Sequence, residues 1–369
     1  MVEIATIFDR HGPSYRAQFG DRMPFNHLKA MRAIEHCRTP VLGGHVYHCP
    51  VCDESQYLYH SCRNRHCPKC QGNKAQQWLE KQEDHLLPVP YFLVTFTLPD
   101  ELRRLARSNP KIFYNLLFRA SAAAMQELAQ DERFVGGQLG FVGILHTWGR
   151  NLSYHPHVHY LVPGGGLDAN DNWRSSRKNF LLPVKALSVI FRAKFRDGLR
   201  KTDLFVDVPS HVWQQDWVVH SKPVGDGSLA VRYLAPYIFR VAISNRRIVR
   251  MAQGKVIFQY RSSDTGTLRT CTLRAAEFIR RFLQHVLPKG FVKVRYYGFL
   301  SHSSKPRLAA LRQLLGDSLP ADLDVSEPNP DSQSTNTSTS STVRCPVCNS
   351  PMWRRMLIPP ASHPPPKVA

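Results

Sequence analysis

The spacing of hydrophobic residues predicts several amphipathic helices along the chain. In the first 35 residues, Phe25, Leu28, Met31 and Ile34 recur every three or four positions, as the buried stripe of a helix does. Residues 1–35 are therefore predicted to be an N-terminal helical segment. The same spacing predicts further helices over residues 101–131 with a break at Pro110, over 180–202, over 228–247 with an interruption at Pro236, and over 275–287.

Other segments carry the β-branched and aromatic runs that are typical of strands. Residues 91–99, YFLVTFTLP, form one such run, which a proline ends. Residues 137–149 and 155–166 form two more, and the short polar turn between them favours an antiparallel pair. Further strands are predicted within residues 248–261 and 267–274. Together with the helices, these strands predict an α+β fold.

Cysteine and histidine are concentrated between residues 36 and 80, which predicts a small zinc-binding module. Cys49 and Cys52 form one Cys-X-X-Cys knuckle, and Cys67 and Cys70 form another. Four thiolates in two such knuckles can bind Zn²⁺ in a tetrahedron. A structural zinc ion stabilises a small module whose hydrophobic core would not be sufficient to fold it. These four cysteines are therefore predicted to bind one zinc ion.

Two further cysteine pairs leave the number of zinc ions open. Cys37 and Cys62 lie beside the knuckles, so they either belong to a second zinc site or are small buried residues. The C-terminal Cys345 and Cys348 repeat the Cys-X-X-Cys spacing but supply only half of a site. They are either free thiols or a knuckle that distant residues complete.

The segment that follows the module divides into a large domain and a short C-terminal part. Residues 88–310 contain most of the predicted strands and helices. Residues 326–342 contain almost no apolar side chains and are predicted to be a disordered linker. Residues 343–369 then hold the last Cys-X-X-Cys pair and a proline-rich tail.

The charge of the chain favours a nucleic-acid partner. Lys and Arg number 49 against 28 Asp and Glu, which gives a formal net charge of +21 that is spread along the chain. Such a charge attracts a polyanion, although a basic soluble protein with no such partner would share it.

No long apolar run and no signal peptide are evident, so a cytoplasmic protein without a membrane partner is expected. Basic residues around the Cys67 knuckle suit contacts with DNA phosphates: Arg63, Arg65 and Lys69.

Three histidines alternate within YHPHVHY, residues 154–160. In a strand, His155, His157 and His159 point to one face while Val158 points to the other, into the core. Two imidazoles spaced in this way can share a divalent cation if a third ligand is available. His146, on the preceding predicted strand, is the best candidate for that ligand, and His155 is the alternative.

Two tyrosines are candidates for a nucleophile. A divalent cation in a basic protein suggests phosphodiester chemistry. Tyr233 and Tyr237 are four residues apart, so a helix would place them on one face. Because a free phenol has a pKa of about 10, attack would need the metal or a nearby cation to favour the phenolate. The candidate cations are Arg232, Arg240 and Arg246, which are also predicted to bind DNA. The alternative is that both tyrosines are core residues.

Four motifs follow one another along the chain: SCRNRHCPKCQ, VTFTLP, LHTWGRNLSYHPHVHYLVPGGGL and YLAPYIFRVAISNRR. Their order and sequence resemble the two-tyrosine HUH transposases of the insertion sequence 91 family. The resemblance extends from about residue 20 to residue 310. It implies an HUH endonuclease domain over residues 88–310, in which helices flank a central antiparallel sheet, preceded by the zinc-binding module.

The resemblance also implies a mechanism of rolling-circle transposition. His157, Val158 and His159 match the HUH triplet, and Tyr233 and Tyr237 match the tyrosine pair. A tyrosine would attack one DNA strand, with Mg²⁺ or Mn²⁺ as cofactor, and leave a 5′-phosphotyrosine bond and a free 3′-hydroxyl group. The implied partners are single-stranded or hairpin DNA at the element ends and a host helicase or replication machinery, with the enzyme at the bacterial nucleoid.

Three alternatives remain open at this point. A plasmid replication initiator or relaxase would use the same chemistry, and genes beside this one would distinguish it. A non-catalytic, zinc-dependent DNA-binding protein would leave DNA uncut. A metal-dependent hydrolase that uses water would cut DNA without forming a covalent bond to either tyrosine.

Overall fold

A computed structural model describes residues 2–70, 72–83, 86–239, 242–262, 265–316 and 343–361. The predicted linker at 326–342 lies outside these residues. The helices are α1 (Ile4–Phe19), α2 (Phe25–His36), α3 (Gly72–Glu83), α4 (Arg103–Ser108), α5 (Pro110–Ala129), α6 (Val184–Leu199), α7 (Ser228–Phe239), α8 (Ala275–Leu283) and α9 (Lys305–Leu314). The strands are β1 (Gly44–His48), β2 (Ser55–Tyr59), β3 (Tyr91–Thr97), β4 (Phe141–Trp148), β5 (Tyr154–Pro163), β6 (Gly165–Leu167), β7 (Trp173–Ser175), β8 (Val219–Pro223), β9 (Ile248–Ala252), β10 (Lys255–Arg261), β11 (Leu268–Arg274), β12 (Val294–Tyr297) and β13 (Trp353–Ile358).

The central sheet is antiparallel and has helices on both faces. Its strand order is β12-β4-β5-β3-β8. Side chains from alternate positions of β3 and β5, such as Phe96, Val158 and Tyr160, enter the main core together with residues of α5 and α6. On the other face, β4 and β5 pack against α7 through Ile144 and Leu161. The predicted α+β fold with a central antiparallel sheet is therefore confirmed.

The N-terminal helices pack against residues from late in the chain. Phe8 of α1 contacts Phe282 of α8, with ring centroids 5.2 Å apart. These helices share a core with the antiparallel sheet β11-β10-β9 and with buried Cys37 and Cys67. Residues 1–35 are helical as predicted, but they do not form a unit of their own, because their apolar stripe is buried against α8 and β10.

The C-terminal segment belongs to the zinc-binding module. β13 pairs antiparallel with β1, which in turn pairs with β2, so residues 353–358 complete a small sheet with residues 44–59. Of the two alternatives for the last Cys-X-X-Cys pair, the structure favours a knuckle that distant residues complete, because Cys345 and Cys348 cluster with Cys49 and Cys52. The proline-rich residues 362–369 lie outside the described part of the chain.

The other differences from the predicted elements have local causes. The chain breaks between α4 and α5, as predicted, and Pro110 takes the first position of α5, where a missing amide hydrogen costs no hydrogen bond. The backbone of α7, in contrast, runs through Pro236 without the predicted interruption. β8 and β12 were not predicted, because each is a short strand at an edge of the sheet. Among the described residues, none of the helices combines the length and apolar character that crossing a bilayer requires.

An ion-pair cluster at the start of α8 predicts a pH-dependent contribution to stability. Hydrogen bonds from Arg280, and also from Arg281, lower the pKa of Glu277 to about 2. This folded value is below the value of about 4.3 for a free glutamate, so the stabilisation is present above about pH 4.3 and is lost as the pH falls through about 2. Because Glu277 is partly exposed, we expect Glu277→Gln to lower the free energy of unfolding by only about 1 kcal/mol at pH 7.

Urea unfolding of wild type and Glu277→Gln at pH 7, 4 and 2.5 checks this expectation. The difference in free energy of unfolding between wild type and Glu277→Gln should decrease as the pH falls from about 4 to about 2. Glu132→Gln is the control, because Glu132 is exposed and lies outside the cluster. A difference that stayed constant across this pH range would contradict the assignment.

Candidate metal and nucleophile site

The register between β4 and β5 brings three histidines together. His146 lies directly opposite His157, and Ile144 lies opposite His159. One potential ligand atom from each of His146, His157 and His159 lies within 4.8 Å of the other two. His146 is buried, whereas His157 and His159 keep part of their surface exposed. The three imidazoles therefore form a cluster on the face of the sheet opposite the main core.

Hydrogen bonds fix the orientation of two of these rings. Nδ1 of His157 donates a hydrogen bond to the backbone carbonyl oxygen of His155, at 2.7 Å. Nδ1 of His159 lies 2.8 Å from Oγ1 of Thr95 on β3. Histidines that bind metal usually donate the other ring nitrogen to such a partner, which leaves Nε2 as the ligand atom. The arrangement of His157 and His159 is therefore suited to metal binding through Nε2.

Burial keeps the three imidazoles in the neutral form that binds metal. Desolvation lowers the pKa of His146 and of His157 well below the usual value, and neighbouring histidines lower both further. Desolvation also lowers the pKa of His159 to about 4. All three rings are therefore unprotonated at neutral pH, and the donor set fits a divalent cation.

His155, the alternative third ligand, is occupied elsewhere. It shares a face of β5 with His157, but the guanidinium of Arg103 contacts its Nδ1. Arg103 also pairs with Asp100. His155 is not among the clustered ligand atoms. Of the two candidates, the structure thus brings His146 to the pair and holds His155 beside it.

Helix α7 carries both tyrosines and covers the histidine-bearing face of the sheet. Its buried residues Ala230, Val231 and Leu234 pack in one cluster with Val142 and Ile144 of β4. The side chain of Tyr233 is 47% exposed, which argues against a core role for it. The backbone of Tyr237 lies one turn further along the same helix.

A half-buried lysine connects the end of α7 to the strand that bears His146. Nζ of Lys293 donates a hydrogen bond to the carbonyl oxygen of Ile238, at 3.4 Å. The same ammonium lies 4.9 Å from the ring centroid of Trp148, which in turn stacks on His146. Burial lowers the pKa of Lys293 to about 7. Because Ile238 directly follows Tyr237, this contact places the backbone of the second tyrosine close to the histidine cluster.

The cysteines form two sets of four, and the pairing differs from the prediction. Within each set the Sγ atoms lie within 4.8 Å of one another. We call them the proximal cysteine cluster (Cys37, Cys62, Cys67 and Cys70) and the terminal cysteine cluster (Cys49, Cys52, Cys345 and Cys348). The predicted set of Cys49, Cys52, Cys67 and Cys70 is not brought together.

The β1–β2 hairpin explains the pairing. Cys49 and Cys52 lie in the turn that joins the two strands, whereas Cys37 and Cys62 lie beyond its open end. Five-residue strands are about 17 Å long, so one ion cannot bind thiolates at both ends. The proximal cysteine cluster joins Cys37 and Cys62 to the Cys67 knuckle. Four cysteines around one point are the ligand set of structural Zn²⁺, which fits the proximal cysteine cluster.

Only some of the predicted DNA-binding residues are exposed for such a role. Arg63 and Arg246 are exposed. Both guanidinium NH₂ groups of Arg65 instead donate to the carbonyl oxygen of Phe291, at 3.0 and 2.9 Å. Lys69 forms an ion pair with Glu3 at 2.9 Å. Arg232 is also exposed, but it forms an ion pair with Glu83 at 2.6 Å. Arg240 lies outside the described residues.

Several residues that shape the site were not predicted. Lys293 and Arg103 are ordinary basic residues in the sequence, and only the fold brings them to the histidines. The position of Thr95 could have been predicted from the sequence. Its neighbours Val94 and Phe96 point into the core, so Thr95 must point to the opposite face of the strand. Nε2 of His66 accepts a hydrogen bond from the backbone amide of Leu287 at 3.1 Å, a contact that the sequence also did not predict.

Two family models of transposases and two curated relatives match this chain. A family model described as "Putative transposase" matches residues 140–307, and one described as "Transposase zinc-binding domain" matches residues 7–98. The protein "Putative transposase y4qJ" of Sinorhizobium fredii is 40% identical over 370 residues, which cover 94% of this chain and 93% of that protein. No solved structure shows significant similarity.

A second relative is named for its mobile element. The "Transposase for insertion sequence element IS801" of Pseudomonas savastanoi pv. phaseolicola is 32% identical over 289 residues, which cover 72% of this chain and 68% of that protein. Residues 36–80 of the zinc-binding module and the sheet that carries the histidines fall within the matched family ranges. The chain therefore belongs to the insertion sequence 91 family of transposases.

Proposed function

We propose that this transposase cleaves and rejoins single-stranded DNA through a 5′-phosphotyrosine intermediate, in rolling-circle transposition. The observation that carries the proposal is the position of the histidine cluster on the sheet face that α7, the tyrosine helix, covers. Metal-assisted phosphodiester cleavage requires a metal ligand set and a nucleophile, and this sheet face carries the first while the helix packed on it carries candidates for the second.

Tyr233 and Tyr237 are the proposed nucleophiles. The phenolic oxygen attacks the scissile phosphorus and forms a phosphotyrosine ester, while the bond to the 3′ oxygen breaks and that oxygen leaves as a 3′-hydroxyl group. The phenol loses its proton and the leaving oxygen gains one, so the step is balanced. A divalent ion bound by His146, His157 and His159 would polarise the phosphate and stabilise the charge of the transition state.

The surrounding residues position these groups. Thr95 and the carbonyl of His155 orient the two imidazoles of β5, and Val158 anchors the strand between them in the core. Lys293 holds the last turn of α7 against β4. Because Lys293 contacts the carbonyl oxygen of Ile238, it is a positioning residue for the turn of α7 that contains Tyr237.

The ester conserves the energy of the broken bond, so rejoining needs no ATP. A 3′-hydroxyl group attacks the phosphotyrosine in the reverse reaction and releases the tyrosine. Two tyrosines allow two DNA strands to be held at once, one from each cleavage. The substrate is single-stranded or hairpin DNA at the element ends, and a host helicase or the replication machinery at the nucleoid separates the strands.

The basic surface supports this choice of substrate. Exposed Arg63 and Arg246 and the overall charge of +21 favour contacts with the DNA backbone. Single strands are recognised mainly through backbone contacts and stacking, which need no access to a duplex groove. The zinc-binding module is proposed to help bind the terminal DNA near the cleavage point.

The tyrosine mechanism predicts a covalent protein–DNA bond at one of two residues. Wild-type protein incubated with Mn²⁺ and labelled single-stranded DNA from an element end should form an adduct that survives denaturation. Peptide mass spectrometry should locate the DNA on Tyr233 or Tyr237. The double substitution Tyr233→Phe/Tyr237→Phe should reduce adduct and cleavage at least about 1000-fold, because phenylalanine has no attacking oxygen.

Matched controls distinguish the alternatives. Tyr260→Phe removes a hydroxyl group from β10, which belongs to a different sheet from the histidines, and this variant should cleave at the wild-type rate. Cleavage by the double variant without an adduct would indicate a hydrolase that uses water. An adduct on any residue other than Tyr233 and Tyr237 would refute the proposed assignment.

The histidine cluster predicts which residue is the third ligand. Imidazole is softer than the carboxylate oxygen that Mg²⁺ prefers, so Mn²⁺ should bind more tightly than Mg²⁺. His146→Ala should weaken Mn²⁺ binding at least about tenfold, because it removes a ligand atom, whereas His155→Ala should change it less than about threefold. Electron paramagnetic resonance of free Mn²⁺, titrated with protein that keeps its cysteine-bound zinc, measures both affinities. If His155→Ala lost more Mn²⁺ affinity than His146→Ala, His155 and not His146 would be the third ligand.

A further inference from the structure

The tetrapeptide Cys-Pro-Val-Cys occurs twice, at opposite ends of the chain. One copy is residues 49–52 and the other is residues 345–348. Although they are far apart in sequence, Sγ of Cys49 lies 3.4 Å from Sγ of Cys348, and Sγ of Cys52 lies 3.4 Å from Sγ of Cys345. The second copy lies outside both family ranges, 7–98 and 140–307.

Both copies have the same backbone conformation. The amide of Cys49 donates to the carbonyl oxygen of Glu54 at 2.8 Å, and the amide of Cys345 donates to that of Ser350 at 2.9 Å. The residue after each second cysteine is left-handed, with φ of 61° at Asp53 and 59° at Asn349. Aspartate and asparagine tolerate this conformation better than most residues. Each copy is thus a tight turn that presents two thiols to the same side.

The small sheet holds the two turns face to face. The first turn follows β1, and β1 pairs with β13, which follows the second turn. His48, just before the first turn, lies opposite Trp353, just after the second. Buried Cys49, Cys345 and Met352 share a small apolar cluster beneath the turns. The sulfur atoms therefore meet because the ladder fixes their positions.

The sulfur distances fit a metal ion and exclude a disulfide bond in this arrangement. A disulfide requires sulfur atoms about 2.0 Å apart. Four thiolates at about 2.3 Å from Zn²⁺ in a tetrahedron lie about 3.8 Å from each other. The observed pairs at 3.4 Å, within a group whose sulfur atoms are all within 4.8 Å, are close to that geometry.

We propose that the terminal cysteine cluster binds a second Zn²⁺ ion, which joins the C-terminal segment to the N-terminal module. The proximal cysteine cluster binds the first. The two clusters use eight of the nine cysteines, and Cys271 on β11 belongs to neither. This site does not depend on DNA cleavage, so its test is separate from that of the proposed function.

Zinc content per chain tests the proposal on the full-length protein. Elemental analysis after exhaustive dialysis should find two zinc ions in wild type and one in Cys345→Ser/Cys348→Ser. Cys271→Ser is the matched control and should retain two. One zinc ion in wild type, or two in the double variant, would overturn the proposal.

Thiol alkylation of wild type gives a second measurement that needs no variant to fold. Cys52 and Cys348 are exposed, so as free thiols they would react quickly with N-ethylmaleimide. Bound to zinc, they should react at least about tenfold more slowly, and a chelator should remove the protection. Peptide mass spectrometry follows each cysteine. Equal rates at Cys348 with and without chelator would overturn the proposal whatever the variants do.

Discussion

The register of the β4–β5 ladder is the constraint on which the site depends. Because side chains alternate along a strand, the pairing that places His146 opposite His157 also sends Val158 and Tyr160 into the core. A slip of one residue would bury the imidazoles and expose the core residues. Tyr160 makes such a slip costly, because its buried hydroxyl group is 2.7 Å from Oγ of Ser121 on α5. The core of the protein therefore fixes the position of the three histidines.

Residues 285–293 link the zinc-binding module to this sheet. The backbone of Leu287 donates to His66, and that of Phe291 accepts from Arg65, so the Cys67 knuckle is fixed at both points. A few residues later, Lys293 contacts Ile238 at the end of α7. The proximal cysteine cluster and the tyrosine helix thus contact the same short segment. Disorder in the module would therefore disturb the position of α7 and the tyrosines that it carries.

The sequence predicted the parts of the site that depend on local periodicity. Alternation along β5 and the short turn before it were sufficient to place His157, His159 and His146 on one surface. The partners of the cysteines were predicted wrongly, because closeness in sequence suggested that the Cys49 and Cys67 knuckles share an ion. A hairpin of five-residue strands separates them instead, and the fold brings Cys345 to the first knuckle. Similarly, charge alone could not distinguish Arg65, which is bound to a backbone carbonyl, from exposed Arg63.

The long stretch of sequence between Cys49 and Cys348 has a consequence for biosynthesis. The 299 positions between these two residues take roughly 15 to 60 s to translate, at about 5 to 20 residues per second. During that time the first knuckle has left the ribosome without the thiols that face it in the finished protein. The N-terminal module is therefore among the first segments to be made and the last to be completed. A prematurely terminated chain would contain every histidine and tyrosine of the site but would lack Cys345 and Cys348. The terminal cysteine cluster can therefore form only after the ribosome has translated the last knuckle.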